Sequence, residues 1–180
     1  MKRAGLVLVP VALLLLAAFA LHRFPLRYLD AIETYAAMYD LPVELVCAVI
    51  AAESRFNKDA VSPKEAGGLM QITPPTAQWL AEQMGIDGFA PEQIFEPDLN
   101  IRIGCFYLRM LSDRYGGRWD LALSAYNAGS ANVNRWLRDE AFSADGQSLH
   151  TIPFPETRNY VAKVESLRKI YRYRLMFKEL

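Results

Sequence analysis

From residue 28 onward the apolar residues of this 180-residue chain recur at spacings of three and four, and no segment alternates over the length of a strand. A chain patterned this way has to bury helix faces against one another, so the expected class is mainly α. Tyr28 to Tyr39 puts Leu29, Ile32, Tyr35, Ala36 and Tyr39 on one helical face. Leu41-Pro42 ends that helix. Pro42 suits the first turn of the next one and Glu44 is favourable near its positive end, which predicts a second helix over Val43 to Ser54. Asn57, Ser62, Pro63 and Gly67 mark a loop up to Gly68. Further helices are predicted over Pro74 to Met84, Asp98 to Tyr115, Trp119 to Asn127, Val133 to Glu140 and Thr157 to Phe177. Gly85 to Pro97 is loop and turn, Gly116-Gly117 closes the long helix, and there is no internal repeat.

Ahead of this body, Met1-Lys2-Arg3 precedes an apolar run from Ala4 to Leu21 interrupted only by Gly5 and Pro10. It reads as an export signal. In a helix it reaches about 27 Å, close to hydrocarbon thickness. Ala18-Phe19-Ala20 offers a cleavage site, whereas the length of the run and the immediate start of folded-looking sequence near Leu26 favour an uncleaved anchor. The expected division is a signal or anchor at 1–25 and one domain at 26–180, outside the cytoplasmic membrane and held there through the N-terminal segment.

Charge is segregated. Residues 1–27 carry net +4, residues 151–180 again +4, and the stretch between them −8. An acidic body gives nucleic acid no footing, so no such partner is expected, and the basic C-terminal segment reads first as a solvated helix face. Two Cys and two His make no metal-ligand spacing, so neither metal nor other cofactor is implied. Cys47 and Cys105 lie in apolar helical contexts and read more readily as buried free thiols than as a pair.

The chemistry centres on one carboxylate. On the second helix an apolar face runs through Val46, Val49 and Ile50, and its next position is Glu53. A buried carboxylate without a partner finds a base or keeps its proton, and the one base close in sequence, Arg55, projects to the other side of the helix. A carboxyl protonated near neutrality is what a general acid needs; a helix-end glutamate reaching solvent is the alternative. Gly67-Gly68-Leu69-Met70-Gln71-Ile72 permits close backbone approach before an adaptable apolar residue and an amide. Ala125-Tyr126-Asn127-Ala128-Gly129 combines an aromatic hydroxyl and an amide at a helix end, a composition that suits sugar.

In order, Glu53-Ser54-x-Phe56, Ala60-x-Ser62, Gly68-Leu69-Met70-Gln71-Ile72-x-Pro74, Ala125-Tyr126-Asn127-Ala128-Gly129 and Glu156-Thr157-Arg158-Asn159-Tyr160-Val161 resemble the catalytic domain of SLT-type bacterial lytic transglycosylases. The resemblance covers residues 26 to 175. It implies a lysozyme-like helical fold with a deep groove, and a substrate of peptidoglycan glycan strands. It also implies cleavage of the β-1,4 bond between N-acetylmuramic acid and N-acetylglucosamine without water, leaving a 1,6-anhydromuramoyl end. By the same resemblance Glu53 is the single catalytic acid/base. Ser62 contacts the acid or the acetamido group, and Tyr160 holds the carboxyl in place. Ser54, Met70, Gln71, Tyr126 and Asn127 lie on the substrate side. Glu65 departs from the pattern, standing where the family often has Gly.

Most glycosidases use two carboxyl groups, and the motifs supply one. Asp59, Glu65 and Asp98 read as surface charges. Hydrolysis in the same groove and a non-catalytic wall-binding module are the competing readings, the second disfavoured by the intact Glu53, Ser62, Gln71 and Tyr160. A domain held so close to a membrane suits trimming of nascent strands or opening holes for an export apparatus, and the sequence does not choose between these machineries.

Overall fold

The computed structural model describes residues 22–178, and the apolar run of residues 4–21 lies outside them. Among the described residues from Leu29 onward seven α-helices follow one another: α1 Leu29–Met38, α2 Val43–Glu53, α3 Pro74–Gln83, α4 Pro97–Arg114, α5 Trp119–Ala128, α6 Ser130–Leu137 and α7 Pro155–Met176. A 3-10 turn, Pro91–Phe95, precedes α4. Proline opens α3, α4 and α7, where its missing N–H costs nothing. The predicted glycine stop on α4 takes a Schellman form: Gly116 and Gly117 have positive φ, and the Gly117 N–H donates to the Ser112 carbonyl at 2.8 Å. The described residues contain no strand, only isolated bridges pairing Gly67 with Val61 and with Ile72.

Most helix limits fall within one or two residues of the sequence reading, and the sixth helix moves by three. Ser54 caps α2 from outside, at φ −120°. The sixth helix runs Ser130–Leu137 rather than Val133 to Glu140, because Gly129, at φ 85°, lets the chain turn directly from α5 into a new helix.

The middle of the molecule is α2, with Leu45 through Ile50 all fully buried, so it is covered around its circumference rather than along a stripe. Its principal partner is α7, with α1 on another side. Near the start of α2, Glu44 meets Arg168 at 3.6 Å and Arg172 at 3.3 Å, so part of the basic C-terminal helix is ion-paired rather than simply solvated. A smaller apolar cluster of Leu111, Tyr115, Leu121, Ala122, Ala125, Val133 and Trp136 joins α4, α5 and α6. Both cysteines are free and buried in the main core, and burial raises the proton affinity of both thiols, that of Cys47 to about 12. No helix among the described residues is long and apolar enough to cross a membrane.

Candidate active site

Glu53 is the last residue of the central helix. Beyond it Arg55 and Phe56 adopt left-handed φ of 54° and 62°, which turns the chain abruptly. Phe56 returns to the core while Glu53 faces a cavity of about 350 Å³. Withdrawal from water is the dominant influence on its carboxyl and pushes its pKa up from 4.5 to about 7. The Tyr160 hydroxyl and the Lys163 ammonium oppose that shift.

Those two groups come from α7, three residues apart on one helical face. Lys163 donates from Nζ to the Ala52 carbonyl at 2.6 Å, satisfying one of the orphan acceptors at the C-terminus of α2. The cation that acts on Glu53 is therefore Lys163, not Arg55, its neighbour in sequence. Tyr160 is buried and its hydroxyl makes no completed hydrogen bond, although it lies near enough to Glu53 to ease its ionisation. Burial and the nearby acid in turn raise the proton affinity of both Tyr160 and Tyr126, so both stay neutral phenols.

A second wall is the loop between α2 and α3. The Ser62 Oγ accepts from the N–H groups of Lys64 and Ala66 at 3.2 and 3.1 Å, which occupies its lone pairs and leaves its proton to donate into the cavity. Gln71, at φ 49°, spends its amide hydrogens on the Ala60 and Gly68 carbonyls, both at 2.9 Å, and keeps its carbonyl as an acceptor. Glu65 takes φ 61°, a conformation glycine adopts without steric cost, so the chain keeps the turn despite the different residue.

What holds this loop against the body is Asn100 of α4, fully buried. It accepts from the Met70 N–H at 2.8 Å and donates to the Ile94 and Gly67 carbonyls at 2.7 and 3.2 Å. Gly68, at φ 77°, is required there: a Cβ would stand 2.2 Å from the Asn100 amide nitrogen and 2.4 Å from the Ile94 carbonyl oxygen. The third wall is the end of α5. The Tyr126 hydroxyl donates to the Met70 carbonyl at 2.7 Å, and Asn127 Oδ1 accepts from Thr157 at 2.8 Å, leaving the Asn127 amide hydrogens available.

Of the residues singled out in the sequence, Glu53, Ser62, Gln71, Tyr126 and Asn127 line one cavity, and Tyr160 stands behind Glu53. Two lie elsewhere. Met70 is fully buried, its thioether packed where Gly104 leaves room for it, and it meets the site only through its backbone. Ser54 is 8% exposed and its hydroxyl turns back to the Ile50 carbonyl at 3.2 Å. Both face inward because the turn after α2 and the clip by Asn100 fix the backbone first. Sequence reasoning missed Asn100, Lys163 and Glu156, the last an exposed second carboxylate in the cavity lining. Asn100 left a signal: it is a polar residue three and four positions before Ile103 and Gly104 on the buried face of α4. Among the described residues no three His, Cys, Asp or Glu side chains are grouped to hold a metal.

The sequence model of the family described as "Transglycosylase SLT domain" matches residues 30–148. The soluble lytic murein transglycosylase of Escherichia coli K12 is 37% identical over 153 residues, covering 84% of this chain and 24% of that protein. The membrane-bound lytic murein transglycosylase C of Serratia proteamaculans is 32% identical over 169 residues, covering 82% of this chain and 47% of that protein. Among solved structures, the 70 kDa soluble lytic transglycosylase of Escherichia coli superposes with a TM-score of 0.77 at 34% identity, over 87% of this chain and 26% of that one. An inactive Glu-to-Gln mutant of lytic transglycosylase Slt from Pseudomonas aeruginosa superposes with a TM-score of 0.76 at 37% identity, over 84% of this chain and 25% of that one. The chain thus spans about a quarter of the length of the soluble relatives it matches. The fold is the lysozyme-like one, as the sequence motifs imply.

Proposed function

Since the chain belongs to the SLT transglycosylase domain family, we propose that it is a lytic transglycosylase of the bacterial wall, cutting the β-1,4 bond between N-acetylmuramic acid and N-acetylglucosamine. Glu53 donates its proton to the glycosidic oxygen as the bond to the muramoyl anomeric carbon breaks. The substrate's own N-acetyl oxygen stabilises that carbon, as in other exceptions to the two-carboxylate rule. The Glu53 carboxylate then takes the proton of the 6-hydroxyl while the 6-oxygen closes on the anomeric carbon. The acid is regenerated and a 1,6-anhydro ring is left. Intramolecular attack carries a high effective molarity, so water has only to be outcompeted.

The observation that carries this reading is a carboxyl with its pKa raised to about 7, at the end of a buried helix and facing a polar groove. Around it, the Ser62 proton and the Asn127 amide hydrogens are donors for acetamido and hydroxyl oxygens, and the Gln71 carbonyl is an acceptor. Tyr160 orients the Glu53 carboxyl. Tyr126 supplies an aromatic wall. Met70 and Ser54 act from behind, holding the groove's backbone.

The test is digestion of purified sacculi followed by mass spectrometry. The expected products are lighter by one water than hydrolytic ones, and Glu53→Gln is expected to lower turnover by at least about a hundredfold with the fold retained. Reducing ends in place of anhydro ends would overturn the reading.

Glu156 favours a second reading, hydrolysis, because a second carboxylate lining the same cavity is what a two-carboxylate glycosidase requires. On that reading Glu156→Gln abolishes turnover; on the first it leaves the anhydro product unchanged in kind.

Residues 26–180 are the catalytic domain in this proposal. Residues 1–25 are an export signal retained as an anchor, so the domain works on the outer face of the cytoplasmic membrane and reaches glycan near it. The apolar run of residues 4–21 and the membrane-bound relative support this placement.

A further inference from the structure

On the far side of the α2 terminus from Glu53 lies a separate cavity of about 300 Å³ lined by His22, Arg23, Arg27 and Arg55 over a floor containing Phe56 and Tyr171. Among the described residues no carboxylate lines it, nor the adjoining cavity that Arg23 and Arg55 share with Lys163 and Ile170. At the opposite end of α2 an acid is placed to meet cations: Glu44 takes Arg168 and Arg172. Here the side chains of His22, Arg27 and Arg55 have no hydrogen bond or ion pair among the described residues, and Arg23 covers the Phe24 ring, 5.3 Å from its centroid, and acts on Tyr171. The left-handed turn at Arg55 is what sends it to this side.

From Ile170 toward its C-terminal end α7 exposes apolar surface. Ile170, Tyr173 and Phe177, spaced three and four apart on one face, are 37%, 67% and 55% exposed. Ile170 itself lines the adjoining cavity. The apolar run of residues 4–21 ends directly before His22, the first residue of the cationic wall. Converging guanidinium groups without acids, beside exposed aromatic and aliphatic side chains and at the exit of an apolar segment, match an anionic bilayer surface.

We propose that this cavity binds the phosphodiester headgroup of an anionic phospholipid and so fixes how the domain sits on the membrane. The assignment rests on reading residues 1–25 as a membrane anchor. Arg27 and Arg55 take the phosphate oxygens, and Ile170, Tyr173 and Phe177 rest in the interfacial layer. The catalytic groove opens on the other side of the α2 terminus, away from the lipid.

The experiment floats the full chain with vesicles of pure phosphatidylcholine and with vesicles containing phosphatidylglycerol, and follows backbone deuterium exchange of residues 22–27 and 51–56. The expected result is flotation with both vesicles and exchange slowed roughly tenfold by phosphatidylglycerol alone, the slowing lost in an Arg27→Gln/Arg55→Gln variant. Flotation with both but equal exchange keeps the anchor and overturns the headgroup site. Flotation with phosphatidylglycerol vesicles only keeps the site and overturns the anchor. Flotation with neither overturns both, and inorganic phosphate reproducing the slowing on phosphatidylcholine vesicles overturns the assignment to lipid.

Discussion

The ammonium of Lys163 lies 2.6 Å from the carbonyl oxygen of Ala52, the residue before Glu53, so a side chain from the last helix closes the end of the central one beside its acid. The contact does two things. It satisfies an α2 carbonyl, and it sets a positive charge where it favours the ionised form of Glu53.

Replacing Lys163 by Met is therefore expected to remove about 1 kcal/mol of stability and to raise the Glu53 pKa further. If Glu53 must be protonated to cut, activity falls as pH rises through its pKa of about 7, and the variant keeps activity to higher pH than the parent. Lys163→Arg restores the parental profile. A pH–rate profile of all three checks this; an unmoved alkaline limb in Lys163→Met would show the charge to be irrelevant.

Tyr160 bears on the same acid without a completed bond of its own. Tyr160→Phe is expected to leave stability unchanged or slightly raised, since a buried hydroxyl without a partner is removed. Turnover should drop between about tenfold and a hundredfold through looser positioning of the carboxyl. Thermal melts beside kcat and KM separate the two effects, and a large loss of stability would make Tyr160 structural.

Glu53 itself should make the fold less stable as pH rises. Its carboxyl is raised from 4.5 to about 7 in the folded protein, so the folded state holds a proton that the unfolded chain gives up. Below pH 4.5 both states are protonated and nothing is lost; between 4.5 and 7 stability falls; above 7 the full cost remains. Glu53→Gln is expected to be neutral at pH 4 and stabilising at pH 8 by up to about 3 kcal/mol. Denaturant unfolding at the two pH values measures the difference.

The loop that carries Ser62 and Gln71 depends on Asn100. Asn100→Leu strands the Met70 N–H and the Ile94 carbonyl, while the Gly67 carbonyl keeps the Ile72 N–H at 3.1 Å, and this is expected to cost about 2–4 kcal/mol and lower Tm by roughly 5–15 °C. Gly68→Ala should do comparable damage, because the added Cβ meets Asn100 and the backbone at a φ of 77°. Glu65→Gly, at the neighbouring left-handed position, is expected to be neutral or stabilising by up to about 1 kcal/mol. Calorimetry on the three variants tests the ordering.

Helix content and most helix limits were legible in the sequence because both are local. Spacing of apolar residues sets the buried face, while proline and the Gly116-Gly117 pair mark ends through the chain's own torsions. The acid at the end of an apolar helix was legible for the same reason, whereas the four other singled-out residues that share its cavity, Ser62, Gln71, Tyr126 and Asn127, were reached through the family motifs. What only the tertiary structure decided lies across distance. Lys163 is 111 residues from the carbonyl it caps, Asn100 is 30 from the amide it holds, and Tyr126 is 56 from the Met70 carbonyl it meets. Periodicity reports which face of a helix is buried but not which helix covers it. Met70 and Ser54 turn inward, and Glu156 reaches the groove, only once the α2–α7 contact and the loop clip have fixed where each backbone runs.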